Sequence, residues 1–203
     1  MTSDHYFSAS PASNDERRTL RVTLAGAERE VMTAPGIFSP GGLDKGTAVL
    51  LEYVAPPRGR VLDIGCGWGP ITLTAALLAP DSEVFAVDVN ERSIDLARRN
   101  AKALNLDRVQ VGTPDDIAED LEFDTIWSNP PIRIGKEALH ELLLRWLPRL
   151  APGGEALLVV QKNLGSDSLQ KWLAEQLPNH WSVIRAATSK GFRILQVNRP
   201  SDD

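Results

Sequence analysis

Asn129-Pro130-Pro131-Ile132 is a run whose residue types suit the handling of a reacting amine. Asparagine offers an amide oxygen as acceptor, and Pro130 offers a carbonyl on a residue with no N–H of its own. Two acceptors on a stiff turn can take the hydrogens of an exocyclic or amide nitrogen and aim its lone pair at an electrophile. Such a nitrogen is a weak nucleophile because its lone pair is delocalised. Holding it in line is therefore catalysis by position and electrostatics, with Pro131 stiffening the turn and Ile132 lining it.

A second cluster, Asp63-Ile64-Gly65-Cys66-Gly67-Trp68-Gly69-Pro70, has the composition of a ligand-binding turn between a strand and a helix. Gly65, Gly67 and Gly69 let the backbone come close to a ligand, and Pro70 suits the first turn of a helix. A dinucleotide fingerprint needs Gly-x-Gly-x-x-Gly, and proline at position 70 departs from it. The carboxylate of Asp63 is a poor neighbour for a pyrophosphate and a good one for a cationic amino-acid moiety. Cys66 lacks a His–acid pattern that would make it a nucleophile and reads as a small residue packed near the ligand. Asp88, with Val89 beside it, ends the next strand twenty-three positions after Gly65, where an acid can bind both ribose hydroxyls. Asp115 and Asp116 follow a third strand and are candidates for an adenine amino group, or equally a loop acid and a helix cap.

The elements that must bring these clusters together are visible as alternating patterns. Apolar strand-like runs at Val61–Ile64, Glu83–Val89, Val109–Val111, Phe123–Ser128 and Ala156–Val160 alternate with helical patterns at 71–78, Glu91–Leu104, Lys136–Leu150 and Ser168–Leu177. That order predicts an α/β fold with a parallel sheet covered on both faces. Ala151-Pro152-Gly153-Gly154 is expected to break the helix before it, and 183–188 with 192–197 to form a closing antiparallel pair. Ahead of this lie an expected flexible leader (1–18) and a segment (19–57) holding a small hairpin, a Pro/Gly loop and a helix capped by Asp44; residues 58–200 form the main domain.

Bulk properties limit the function classes. The chain has 203 residues, a formal net charge of −5 and a single cysteine, so an intrachain disulfide is excluded and a reducing, cytoplasmic setting is expected. It contains neither a membrane-length apolar run nor a signal-peptide pattern at its start. An acidic chain is unlike a protein that coats nucleic acid, so contact with one would need a local basic patch. His5, His140 and His180 have no ligand spacing, and no metal is expected.

Asp63-Ile64-Gly65-Cys66-Gly67, Asp88 and Asn129-Pro130-Pro131-Ile132 resemble the motifs of class I S-adenosylmethionine-dependent methyltransferases that modify exocyclic or amide nitrogens. Phe38-Ser39, Leu43-Asp44-Lys45-Gly46-Thr47, the run Asn129 to Lys136 and Lys190-Gly191-Phe192-Arg193 resemble the small-subunit ribosomal RNA guanine-N2 methyltransferase family within that class. The resemblance runs from about Gly36 to Val197. It implies a Rossmann-like sheet of seven strands, mostly parallel with the last strand antiparallel. It also implies S-adenosylmethionine along the glycine turn, giving S-adenosylhomocysteine as product, with Asp88 on the ribose and Asn129-Pro130-Pro131 on the target amine. Trp68 would then shield the methionine end of the cofactor. Ile132 stands where amino-methylating relatives often carry an aromatic residue. Arg133, Lys136, Lys190 and Arg193, with Phe38, form a candidate substrate rim suited to a phosphate backbone, with a solvated surface charge as the alternative reading of any one cation. The expected partner is ribosomal RNA or a ribosomal subunit, and the chain is expected to be a monomer or weak homodimer. A protein glutamine amide, an adenine amine or a small amine would suit the same chemistry, and a non-catalytic cofactor-binding module is the remaining alternative.

Overall fold

The computed structural model of the protein describes residues 13–14 and 16–202. Among the described residues nine strands and five α-helices follow one another: β1 (Arg18–Leu24), β2 (Ala27–Thr33), α1 (Lys45–Tyr53), β3 (Arg60–Ile64), α2 (Pro70–Leu78), β4 (Glu83–Val87), α3 (Glu91–Ala103), β5 (Val109–Gly112), β6 (Phe123–Ser128), α4 (Lys136–Trp146), β7 (Leu150–Gln161), α5 (Ser166–Gln176), β8 (Ser182–Ser189) and β9 (Phe192–Asn198). β1 and β2 form an antiparallel hairpin, and the other strands make a seven-stranded sheet in the order β5-β4-β3-β6-β7-β9-β8. Parallel pairing runs from β5 through to β7, and β9 lies antiparallel between β7 and β8.

The strands are apolar on both sides because both faces are covered. Leu62, Ile64, Phe85, Val87, Ile126, Leu158 and Val160 turn one way and pack with Leu139, Leu143 and Trp146 of α4 and Leu169 and Leu173 of α5. Their neighbours Val61, Val84, Trp127, Leu157 and Val159 turn the other way against Val49 and Leu50 of α1 and Ile71, Ala75 and Ala76 of α2. The period-2 alternation of β3 therefore sends Asp63 to the α2 face. The hairpin packs Val22, Leu24 and Val31 against Trp68, Leu73 and Leu96.

Strand β7 begins earlier than the sequence pattern predicts. Ala151-Pro152-Gly153-Gly154 does not separate helix from strand; it forms a shift in register within β7, between the pairs Phe123–Leu150 and Thr125–Glu155. A Cβ on Gly154 would sit 2.8 Å from the Ala151 carbonyl oxygen and 3.0 Å from that of Asp124, so only glycine lets the chain cross there. Helix α4 ends at Trp146, and a short 3-10 turn, Leu147–Arg149, completes the predicted helical stretch.

Most of the expected leader lies outside the described residues. Of its described part, Glu16 pairs with Arg92 and Arg17 with Asp95, both on α3. Among the described residues no helix is long and apolar enough to cross a membrane.

Candidate active site

Strand order reverses between β3 and β6, and a doubly wound sheet opens a crevice at the carboxyl ends of such strands. The glycine turn leaves β3 at this edge and Asn129 leaves β6 beside it. Both border a shallow cleft lined also by Phe38, Ser39, Asp44, Thr47 and Ile71.

The turn is braced from within. Gly65 and Cys66 donate their N–H groups to the Val87 carbonyl, Gly67 donates to Asp88 at 2.9 Å, and Gly69 donates to the Cys66 carbonyl. A phosphate cradle needs N–H groups that are free to point at an anion. These four are committed, and the carboxylates of Asp63 and Asp88 flank the turn. Gly65 and Gly67 have φ of +77° and +56°. A Cβ on Gly67 would meet nothing within 4 Å, and one on Gly65 only Pro131 at 3.9 Å, so both positions leave open space on that side, and Gly65 is exposed to the cleft.

Beneath the turn, Asp63 is 1% exposed. Its Oδ2 accepts from the backbone N–H and the hydroxyl of Thr72, at 3.0 and 2.6 Å. Its Oδ1 is buried with no partner. Burial pushes the carboxyl up to about 7, against the lowering effect of Thr72. An unpartnered buried carboxylate oxygen under an open glycine turn fits a ligand with a cationic end. Asp88 accepts at both oxygens, from Gly67 N–H and from Asn90 N–H, which fixes its plane at the end of β4; burial raises its carboxyl as well. Val89, beside it, is 70% exposed. Burial, followed by the charges of Asp88 and Asp63, raises the Cys66 thiol, so the residue is packing and not a nucleophile.

On the β6 side, Asn129 donates its Nδ2 hydrogens to Asp44 Oδ2 at 2.8 Å and to Thr47 Oγ1 at 3.0 Å. A carboxylate only accepts, so the amide is oriented and its oxygen remains free to accept. The Pro130 carbonyl takes the Ile132 N–H at 2.8 Å across Pro131, whose φ and ψ of −74° and 73° describe an inverse γ-turn. One lone pair of that carbonyl is left for a second donor. Ile132 is partly buried against the main core, so it braces the turn from below.

Several predicted residues take other places. Arg193 is not on the rim: it is 7% exposed and its guanidinium pairs with Asp167 and with the Ser166 hydroxyl at the start of α5. The alternation along β9 sends Phe192 to the α1 face and Arg193 to the opposite one. Lys190 is exposed but holds Glu52 of α1 at 2.7 Å. Arg133 and Lys136 are exposed on the segment after the proline turn. Asp116 caps the short turn Pro114–Asp116 through the N–H and hydroxyl of Thr113, which lowers its carboxyl, and Asp115 pairs with Arg145 at 2.7 Å. The Trp68 ring packs among hairpin, α2 and α3 residues and its carbonyl accepts from Asn100, which anchors the hairpin to the turn, while the residue also borders the cleft. The residues missing from the sequence-level site are Asp44 and Thr47. Their signal was the Asp-Lys-Gly-Thr cap, legible as a helix start but not as a partner of Asn129.

This sheet order, the bare glycine turn and the oriented asparagine together describe a methyltransferase. The methyltransferase small domain family model matches residues 28–196, and the chain belongs to that family, whose methyl donor is S-adenosylmethionine. Among relatives, the uncharacterized protein YbxB of Bacillus subtilis is 31% identical, with 97% of this chain and 99% of that protein covered. Ribosomal RNA small subunit methyltransferase C of Pseudomonas entomophila is 36% identical over 98% of this chain and 59% of its own length. The T. thermophilus 16S rRNA N2 methyltransferase RsmC, solved with AdoMet and guanosine, superposes with a TM-score of 0.77 at 25% identity, covering 93% of this chain and 52% of that one. The chain thus spans little more than half the length of the relatives named for ribosomal RNA.

Proposed function

We propose that this protein transfers a methyl group from S-adenosylmethionine to the exocyclic N2 amine of a guanine in 16S ribosomal RNA. The observation that carries the reading is the Asn129 amide, whose hydrogens are spent on Asp44 and Thr47 and whose oxygen is left as an acceptor at the cleft. S-adenosylmethionine supplies an electrophilic methyl at a sulfonium when it is bound. The glycine turn offers bare backbone to it, Asp88 takes the ribose hydroxyls, and Asp63 Oδ1 faces the cationic amino-acid end.

Asn129 Oδ1 and the remaining lone pair of the Pro130 carbonyl accept the two hydrogens of the guanine amine. That holds the nitrogen's lone pair in line with the methyl, and the proton is lost after transfer. With Ile132 turned to the core, the exposed ring of Phe38 at the same cleft is the available aromatic face for the base. Arg133 and Lys136 meet backbone phosphate. The names of the Pseudomonas and T. thermophilus relatives support the choice of acceptor.

The test is methyl transfer from labelled cofactor to small ribosomal subunits, naked 16S RNA and total protein, followed by nucleoside analysis. N2-methylguanosine in 16S RNA is the expected product. Label confined to protein, or found in adenosine, would overturn the guanine reading.

A further inference from the structure

Asp44 Oδ2 collects three donors: the N–H of Gly46 at 2.8 Å, the N–H of Thr47 at 3.1 Å and Asn129 Nδ2 at 2.8 Å. The first two are the ordinary bonds of an N-cap at the start of α1. Capping does not explain the third, which reaches across 85 positions to the tip of β6. Thr47, 3% exposed in the first turn of the same helix, receives the other amide hydrogen. An asparagine side chain with free torsions can present either its oxygen or its NH2, two groups of nearly equal size and opposite polarity. An NH2 facing the cleft would oppose the hydrogens of an acceptor amine. With both hydrogens tied to α1, only the oxygen can face it.

We propose that Asp44 and Thr47 are positioning residues that lock the Asn129 amide with its oxygen toward the acceptor nitrogen, so that the first turn of α1 is part of the reaction machinery. This rests on the reading of Asn129 as the amine holder. The charged acceptor on one hydrogen and the neutral one on the other make Asp44 the stronger of the two anchors.

The test compares Asp44→Ser, Thr47→Val and Asn129→Ala, singly and in pairs, in the full chain. Serine keeps an N-cap oxygen but is too short to reach the amide, so capping and locking are separated. Melting temperature and S-adenosylmethionine affinity should stay near wild type. The single-turnover rate should fall about 10–100-fold in Asp44→Ser, the scale of a misplaced reacting group. It should fall about 3-fold in Thr47→Val, the size of one neutral hydrogen bond. Asn129→Ala should cost far less in the Asp44→Ser background than in wild type, because the two act through one group.

An independent readout needs no ligand. In the ¹⁵N–¹H spectrum of the free protein, the Asn129 side-chain NH2 should show two widely separated, exchange-protected protons. These should move to free-amide positions in Asp44→Ser. Additive rate losses, or an Asn129 NH2 signal unchanged by Asp44→Ser, would overturn the proposal. If Asp44→Ser fails to fold, Thr47→Val decides by the same signal and the same coupling. If Asn129→Ala leaves the rate intact, the amine-holding reading falls instead, and the NH2 signal still decides whether the lock exists.

Discussion

On the β3–β4 side of the cleft, polar contacts join close neighbours in the chain or adjacent strands: Asp63 to Thr72, Gly65 to Val87, Gly67 to Asp88. On the β6 side, Asn129 depends on Asp44 and Thr47, 85 and 82 positions away. The first half is a motif that folds with its own strand–turn–helix unit. The second exists only after the segment ahead of the sheet has docked across it. A substitution in the cofactor half should therefore act on binding, and one in the acceptor half on the rate.

Substitutions on the two sides bear on that division. Asn129→Ala should lower methyl transfer by about 10²–10³-fold, as loss of a preorganised polar group does elsewhere, with cofactor affinity changed by only a few fold. Equal loss in both would erase the distinction between the halves. Asp88→Ala should weaken S-adenosylmethionine binding in calorimetry by roughly 10–100-fold, the scale of hydrogen bonds to a charged group. A smaller effect on binding than on rate would invert the comparison.

Asp63 gives the cofactor half a pH signature. Its carboxyl sits near 7 in the fold, above its ordinary value of 3.8, so the folded chain binds the extra proton. Stability contributed by the protonated form is whole below about 4, falls as pH rises and is lost above about 7. Melting temperature of the cofactor-free protein should decline across that window, by roughly 2–4 °C for each kcal/mol, and Asp63→Asn should flatten the decline. Cofactor affinity should rise over the same window if its cationic end meets Asp63.

The smallest effects belong to the outer cations. Arg193→Ala should lower stability by about 1–2 kcal/mol, less than a fully buried pair because Asp167 stays in water, and leave transfer per folded molecule unchanged. Arg133→Ala and Lys136→Ala should instead raise KM for RNA a few fold and each reduce its salt slope by about 1, leaving melting temperature alone. The reverse assignment would put Arg193 back on the rim.

How much was legible follows the same line. β6 spans the predicted residues Phe123–Ser128, and α1 begins after the predicted cap Asp44, because these signals are local: an unbroken apolar run, and a side chain that completes its own helix. Ala151-Pro152-Gly153-Gly154 misled because proline and glycine mark a turn without saying whether it lies between elements or within a strand. Only the approach of Asp124 across the sheet settles that. The cations were equally ambiguous. Arg193 and Lys190 have the right charge, but β9's face and Glu52's position decide what each one meets.

The sequence by itself determined the alternating α/β order, the glycine turn with its two acids and the acceptor chemistry of Asn129-Pro130-Pro131. Each is a property of residue type and short spacing, enforced by backbone geometry over a few positions. Only the tertiary structure decided which way the Asn129 amide points, that Asp63 keeps one oxygen unpartnered, and that Arg193 is buried while Lys190 meets Glu52. Those depend on which long-range neighbour wins a hydrogen bond, and packing, not spacing, sets that.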